Sequence, residues 1–332
     1  MSNTLPVRDW LKFVDEEYLS TFIKDGGASV KFAVAPDDLK PDLYEAVKER
    51  CRKLNYVFAD LNADNMRAYM PQDIFFGLAS HIDWRLLARR LVLSLASENG
   101  YVTNGAELGH SGNLIDAIAA ANDLDPAFVR LSMNRAIQDS VYRNQNLVRD
   151  FRVCMTQLCL MNGDIGTQGD YSDQPLIDWL TGANTRIGNV RPFAIRTTIN
   201  RTTARYFIES ALYWVRHVGY SGTVILLDNS RVTLTRRPKP PDGKRYYTKA
   251  MTMEHYELMR EFIDDVDRLS GTLLVVVTNY EFTDEQSARG WSIYSALRTR
   301  VMDDVRDLNL VNPAASLVRL SEDESEEGDV PW

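Results

Sequence analysis

The chain has 332 residues, of which 45% are hydrophobic and 25% are charged, and its net charge is -8. This is an ordinary composition for a soluble globular protein with one large domain or two smaller ones. Its three cysteines form no CxxC pair and its four histidines lie far apart, so the sequence has no zinc-type spacing and a disulfide framework is not expected. No signal peptide is recognisable and no apolar run approaches the ~20 residues of a membrane span, so a cytoplasmic protein without membrane contact is predicted.

The first part of the chain is predicted to alternate between helices and strands. An amphipathic helix over residues 9–23 is followed by a strand over residues 29–35, SVKFAVA. Pro41 is well placed in the first turn of a helix that runs to Leu54, and YVFADL over residues 56–61 is a second strand. A strand, a helix and a strand in this order predict a βαβ unit with parallel strands.

The middle of the chain is predicted to be mainly helical. One long helix is expected over residues 74–97, a shorter one over residues 114–122, and a long one from the cap at Asp125 to about residue 160. Residues 103–112 read as a loop. The glycine-rich segment 162–171 is expected to be a loop or a lid, and it has neither the spacing nor the lysine of a phosphate-binding loop.

The C-terminal part returns to the α/β pattern. Helices are predicted over residues 202–219, 253–269 and 291–307, and the continuous apolar runs 223–227 and 272–278 are typical of strands buried on both faces of a parallel sheet. The predicted organisation is an α/β core in two parts, an insertion and a tail. These are residues 1–72 and 186–320 for the core, 73–185 for the mainly helical insertion, and 321–332 for an acidic disordered tail.

One apolar strand ends in Asp228, which is the pattern of a nucleotide hydrolase. In P-loop ATPases such an Asp holds the magnesium ion, and a Glu that follows it polarises the attacking water. Here the next residue is Asn229, whose amide cannot accept a proton from water. An Asp at the end of a strand is also common in α/β folds as a turn or cap residue.

The turn after the first strand lacks the features of a phosphate-binding loop. Such a loop needs glycines for close backbone approach, a lysine for the phosphates and a Ser or Thr for the metal. This chain offers Pro36, two aspartates that would repel a triphosphate, Leu39 and Lys40. Lys40 is a lone candidate without supporting residues, and it is predicted to be a surface residue. No cofactor is expected, and ATP with magnesium is not expected to bind in the usual manner.

The order and spacing of several short motifs resemble a known family, the ATP-binding proteins of BREX-type phage-resistance systems (the BrxC/BrxD-like group of P-loop proteins). The likeness covers most of the chain and is densest over residues 187–320, and the N-terminal GGASVKFAVA resembles the first strand of the family. The motifs are INRTTA (199–204), HVGYSG (217–222) leading into VILLD, RYYT (245–248), LMR (258–260), IDD (263–265), LLVVVTN (273–279), Tyr294, ALR (296–298), Arg300 and VNP (311–313).

The resemblance implies a P-loop NTPase (AAA-like) fold with three layers, a mainly parallel sheet and a helical insertion. In the family the first strand runs into a glycine-rich loop with lysine, and a Glu follows VILLD; this sequence departs at both places. Two concordant departures predict a pseudo-ATPase with no catalytic residues and a degenerate nucleotide site. The residues of that site are Lys40, Asp228, Asn229 and, at the polar sensor position, Asn279.

Two arginines near the end of the chain fall where the resemblance implies an arginine finger. Arg298 or Arg300 would then complete the active site of a neighbouring subunit. A solvated helix face explains both arginines equally well.

A basic loop over residues 231–249 stands out in an acidic chain. Cations interleaved with aromatic rings suit phosphate contact and base stacking, and three prolines favour an extended loop. A mobile solvated loop, or a loop that docks on an acidic partner, is the alternative. The residues predicted to contact nucleic acid or a partner are Arg231, Arg236, Arg237, Lys239, Lys244, Arg245, Tyr246, Tyr247 and Lys249.

The leading hypothesis is a catalytically inactive, ATPase-like subunit of an anti-phage defence or DNA-processing complex that acts as an assembly or regulatory scaffold. Its predicted partners are other subunits of the defence system, among them a helicase or an active ATPase, together with DNA or RNA, and an oligomer is expected. An active ATPase with an atypical nucleotide site is one alternative. A nucleic-acid-binding module that uses the basic loop is another.

Overall fold

The computed structural model describes residues 4–103, 114–163, 165, 172–302 and 311–323. The chain divides into two compact units, the first made of residues 1–74 and 221–332 and the second of residues 75–220. The predicted loops at 103–112 and 162–171 and the acidic tail lie mostly outside the described residues. None of the helices described is both long enough and apolar enough to cross a membrane.

The secondary structure comprises six short strands, three between residues 5 and 62 and three between residues 222 and 321, together with helices along the described chain. The strands are β1 Leu5–Pro6, β2 Ala28–Val34, β3 Tyr56–Asn62, β4 Gly222–Asp228, β5 Thr272–Thr278 and β6 Leu317–Ser321. The helices are α1 Val7–Phe13, α2 Lys40–Lys53, α3 Pro71–Ser80, α4 Trp84–Glu98, α5 Leu114–Ala121, α6 Pro126–Ile137, α7 Arg149–Asn162, α8 Gln174–Thr181, α9 Ala204–His217, α10 Lys249–Asp264, α11 Tyr280–Thr283 and α12 Ser295–Val301.

The first unit is built on a six-stranded sheet in the order β1-β6-β2-β5-β4-β3. Every pairing between neighbouring strands is parallel. The predicted α/β class with a mainly parallel sheet is therefore confirmed. The strands β1 and β6 are not predicted from the sequence, because an edge strand of two residues and a strand of five residues leave little periodic signal.

Both faces of this sheet are covered by helices. On one face, Trp10, Leu43 and Val47 from α1 and α2 pack with strand residues such as Val224 and Val275. On the other face, the ring of Phe32 stacks on that of Phe282 at 5.4 Å, and Tyr256 of α10 meets Phe282 edge-on at 5.7 Å. Burial on two sides explains why β4 and β5 are continuous apolar runs rather than alternating ones.

The second unit is helical, and aromatic rings from separate helices fill its core. Phe207 of α9 lies at the centre, with ring centroids 5.7 Å from Phe75, 6.3 Å from Phe151 and 5.4 Å from Trp179. Edge-to-face packing of this kind adds to the stabilisation from burial. The buried carboxylate of Asp150 accepts hydrogen bonds from the backbone N–H groups of residues 196 and 197, which fixes the loop before α9.

Two predicted helices differ from the observed ones in bounds or type: 253–269 is α10 over 249–264, and 9–23 is α1 continued by a π-helix over Val14–Phe22. Three others are broken or shortened. The helix predicted over 74–97 is two helices, because Asp83 accepts a hydrogen bond from the N–H of Leu86 and begins α4 as its N-cap. The helix predicted from 125 to 160 is interrupted at Asn144. The side-chain oxygen of Asn144 accepts a hydrogen bond from the N–H of Asn146 in a turn. The last predicted helix, 291–307, is a short 3₁₀ turn followed by α12, and residues 303–310 lie outside the described residues.

A glycine at the start of β4 sets how closely that strand approaches its neighbour. Gly222 has φ of 155°, and a Cβ at this position would lie 2.2 Å from the carbonyl oxygen of Gly271. That distance is far inside van der Waals contact, and the obstacle is backbone, which cannot move aside as a side chain can. Only glycine therefore fits at this point.

We expect Gly222→Ala to lower the free energy of unfolding by about 2 kcal/mol or more, because the strand must shift away from Gly271. The measurement is the urea unfolding midpoint. Gly188→Ala is the control, since a Cβ at residue 188 meets no atom within 4 Å. Equal midpoints for the two variants would contradict the close approach of the strands.

Candidate functional site

Three neighbouring strands, β2, β5 and β4, end at the same edge of the sheet. The backbone ladder continues past the strand ends, with the N–H of Ala35 bonded to the carbonyl of Thr278 at 2.9 Å and that of Asn229 to the carbonyl of Val277 at 2.9 Å. The carboxyl edge of a parallel sheet is where α/β proteins bind ligands. The segments that follow these three strands carry Lys40, Asp228 and Asn279.

Lys40 is the first residue of α2 and is 6% exposed, so its prediction as a surface residue is wrong. Helical side chains tilt toward the helix N-terminus, which directs this one back over the strand ends. Its ammonium Nζ lies 2.5 Å from Asp37 Oδ1, 2.6 Å from Ser230 Oγ and 3.5 Å from Asp228 Oδ2. The supporting geometry that the sequence did not reveal comes from the turn before α2 and from the turn after β4.

Asp228 is held in place from both sides. Its Oδ1 accepts a hydrogen bond from the N–H of Ser230 at 2.9 Å, while Oδ2 faces Lys40. Tyr44, one helical turn beyond Lys40, lies close to this carboxylate. Burial, and then the negative charge of Asp228, raise the pKa of Tyr44 far above its usual value, so the phenol stays neutral.

Asn279 follows β5 and belongs to the same cluster. The hydroxyl of Thr233 lies 3.0 Å from Asn279 Oδ1, and Asn279 Nδ2 lies 3.4 Å from the carbonyl oxygen of Ser230. Ser230 in turn contacts Lys40. The structure thus brings together three of the four residues of the predicted degenerate site, and it adds Asp37, Ser230 and Tyr44.

Asn229, the fourth predicted residue, contacts a different partner. It is completely buried, and its Nδ2 lies 3.5 Å from His255 Nε2. The Nδ1 of His255 lies 2.9 Å from the carbonyl oxygen of Ala68, so Nδ1 carries the proton and Nε2 accepts. Burial lowers the pKa of His255 to about 4. Asn229 is therefore part of the packed interior beside α10.

The chemistry of the cluster is that of one ammonium between two carboxylates. Lys40 is neutralised by Asp37 and Asp228, so the position offers no free positive charge to a phosphate. Because the buried ammonium would cost several kcal/mol without partners, these contacts stabilise the fold. Across the described residues, no group of His, Cys, Asp or Glu is arranged to hold a metal ion.

The two arginines predicted as fingers are both paired within the chain. Arg300 donates to both carboxylate oxygens of Asp264, and Arg298 lies 3.0 Å from Glu285 Oε1. Asp264 also accepts from Arg260, which in turn pairs with Glu257. To reach a neighbouring subunit, Arg300 would have to leave a bidentate ion pair.

The structure corrects part of the prediction for the basic loop. Tyr247 is fully buried, and its hydroxyl lies 2.9 Å and 2.7 Å from the carbonyl oxygens of Ala63 and Met66, so its ring cannot stack on a base. Arg231 is also buried and pairs with Asp242 at 2.7 Å. Tyr247 thus holds the base of the loop against the segment that follows β3, and Arg231 Nε also lies 4.0 Å from Asp64 Oδ1 of that segment.

The rest of the basic loop is open to solvent. Lys244 is exposed but pairs with Asp64 at 2.6 Å, and Arg237 lies over the ring of the half-buried Tyr246 at 5.5 Å. The other predicted contact residues that are exposed are Arg236, Lys239, Arg245 and Lys249. The positive surface of the loop is therefore smaller than the sequence indicates, and it centres on Arg236, Arg237 and Lys239.

The site and fold define an α/β protein with a parallel sheet and a cluster of Lys, Asp and Asn at its carboxyl edge. The family model for the BREX system ATP-binding protein BrxC/D matches residues 117–327, well over half of the chain. The chain belongs to this family, which confirms the resemblance found in the sequence. No curated protein and no solved structure matches the chain.

His255 gives a test of the buried contact with Asn229. The unfolded histidine binds a proton near pH 6.5, whereas the folded one stays neutral down to about pH 4. In this window the unfolded chain binds the additional proton, so stability falls as pH falls, by up to ~3 kcal/mol. We expect His255→Gln to be less stable at pH 7 but to lose less stability between pH 7 and pH ~5.

Urea denaturation of both proteins at each pH measures this difference. Burial also lowers the pKa of His217, whose contribution has the same sign and cancels between the two proteins. Parallel pH profiles for the original chain and the variant would show that His255 does not titrate as a buried group.

Lys40 gives a test of the ion-paired cluster. We expect Lys40→Met to lower the free energy of unfolding by about 1–3 kcal/mol, because the mostly buried carboxylate of Asp228 loses its cation. Lys53→Met on the same helix removes an exposed lysine that pairs with Glu49, and it should change stability by less than ~0.5 kcal/mol. Adding Asp228→Asn to Lys40→Met should recover part of the loss. A Lys40→Met variant as stable as Lys53→Met would mean that the cluster contributes nothing to the fold.

Proposed function

We propose that this chain is a non-hydrolysing, ATPase-like subunit of a BREX defence complex and that it acts as an assembly or regulatory scaffold. The observation that carries the proposal is the contact of the Lys40 ammonium with Asp37, Asp228 and Ser230. In a P-loop ATPase the lysine pairs with the β- and γ-phosphates, and the aspartate at the end of a nearby strand holds magnesium. Here the lysine and the aspartate lie 3.5 Å apart and pair with each other instead of with phosphate and magnesium.

The positions of the residues support descent from a nucleotide site. Lys40 begins the helix that follows β2, Asp228 ends β4, and Asn279 follows the intervening strand β5. These are the places that the family resemblance assigns to the phosphate lysine, the magnesium aspartate and the polar sensor. The P-loop NTPase fold is part of this proposal.

Two further features oppose catalysis. A triphosphate at the start of α2 would meet Asp37 and Asp38 instead of glycine N–H groups. Asn229 replaces the glutamate that activates water, and its amide is buried against His255. Binding and hydrolysis are thus both disfavoured, which leaves association with other subunits as the role of the fold. The partner that we propose is a helicase or an active ATPase of the same system. Arg298 or Arg300 of this chain would act in trans on the partner's active site.

Calorimetric titration with ATP and magnesium tests the proposal. We expect no saturable binding up to ~1 mM ATP, the upper end of ordinary KM values, and no turnover above background. Saturable, magnesium-dependent binding with turnover that Asp228→Ala abolishes would favour the alternative, an active ATPase with an atypical site.

A second function, contact with nucleic acid, is favoured by the exposed cations of the basic loop. Arg236, Arg237 and Lys239 follow one another closely, and no acidic residue lies between residues 231 and 241. Such a surface suits the phosphate backbone of a strand. The two functions are compatible, because the loop extends from the turn after β4 and is separate from Lys40.

A further inference from the structure

One buried cation of the first unit has no anionic partner. Arg289 lies in the segment between α11 and α12 and is only 9% exposed. Its Nη1 is buried and has no hydrogen-bond partner among the described residues, and its Nη2 makes one long contact, 3.4 Å to the hydroxyl oxygen of Tyr246. A buried guanidinium without a carboxylate is costly, and native structures rarely keep one unless an anion or a function compensates.

Tyr246 joins this arginine to the basic loop. Its hydroxyl donates a hydrogen bond to the carbonyl of Thr235 at 3.2 Å. The same hydroxyl oxygen accepts a hydrogen bond from Arg289 Nη2 at 3.4 Å. The guanidinium of Arg237 lies over the same ring, 5.5 Å from its centroid. One half-buried tyrosine thus holds an exposed arginine on its face and a buried arginine at its edge.

One carboxylate of the basic loop and one of the segment before Arg289 are paired with other arginines. Asp242 of the loop pairs with Arg231, and Glu285 pairs with Arg298. Arg289 itself forms no ion pair with any residue that the structure describes. Two guanidinium groups, the exposed one of Arg237 and the buried one of Arg289, therefore place an excess of positive charge at one tyrosine.

We infer that Arg289, Tyr246 and Arg237 form a binding site for a phosphate group of a nucleic-acid strand. Guanidinium groups match the oxygens of a phosphate in geometry and charge. Arg236 and Lys239 lie beside Arg237 in the chain and provide cations for adjacent phosphates, which suits a polyanion with repeated charges. The inference rests on the second candidate function, and it is independent of the inactive ATPase.

The test compares binding of a labelled single-stranded DNA, and of the RNA of the same sequence, to the original chain and to Arg289→Gln. Fluorescence anisotropy is measured between ~50 and ~200 mM salt. We expect the substitution to weaken binding roughly tenfold, as for the loss of one charge-assisted hydrogen bond, and to reduce the salt slope by about 0.7.

Arg52→Gln is the matched control, because it removes one exposed arginine at the end of α2, near the opposite edge of the sheet. It should leave binding unchanged. Thermal unfolding without ligand separates a binding role from a structural one. Since Arg289 is a buried and unpaired charge, Arg289→Gln should unfold at the same temperature or a higher one, whereas a structural arginine would lower it.

Each outcome bears on a different part of the inference. If the original chain binds a strand and Arg289→Gln binds it equally well with the same salt slope, the site is wrong while nucleic-acid contact stands. If neither DNA nor RNA binds, the nucleic-acid function itself fails. Pyrophosphate that raises the unfolding temperature of the original chain but not of Arg289→Gln would then assign the site to free phosphate compounds.

Discussion

The ammonium of Lys40, held between Asp228, Asp37 and Ser230, is the interaction on which the carboxyl edge of the sheet depends. It joins the first turn of α2 to the turn that follows β4, two segments that are 190 residues apart in sequence between Lys40 and Ser230. Parallel pairing of β2, β5 and β4 makes this possible, because it places all three strand ends side by side. The Lys40 ammonium would be costly to bury without partners, and its contacts here link the start of α2 to the end of β4.

In the function that we propose, this link would hold together an ATPase-like fold that lacks a phosphate-binding loop. In an active enzyme the lysine and the aspartate are bridged by a nucleotide and its metal. Here the Lys40 ammonium lies 3.5 Å from Asp228 Oδ2 and 2.5 Å from Asp37 Oδ1. The ammonium is thus paired within the chain, and the exposed cations of the basic loop lie on another part of the same unit.

Much of the fold could be predicted from sequence, because β4 and β5 are unbroken apolar runs and α2 opens on Pro41. The breaks at Asp83 and Asn144 could not, since one polar side chain that caps or turns the backbone overrides helical periodicity only in its structural context. At the site, Asp228 and Asn279 were identifiable from the strands that precede them. The sequence identifies Lys40 as a candidate but predicts an exposed side chain, because nothing local indicates that its partners come from a turn far along the chain. The burial of Tyr247 and the missing partner of Arg289 are likewise tertiary properties.

The central claim, that the lysine of the former nucleotide site is occupied by the chain's own carboxylates, is tested most directly at the Lys40 ammonium itself. NMR of the chain labelled with ¹⁵N-lysine, with Lys40→Arg to assign the signal, reports the surroundings of this group. We predict a slowly exchanging ammonium signal that does not move when ATP and magnesium are added. A signal that shifts with saturation on addition of ATP and magnesium would show that phosphate displaces Asp37 and Asp228, and it would contradict the account.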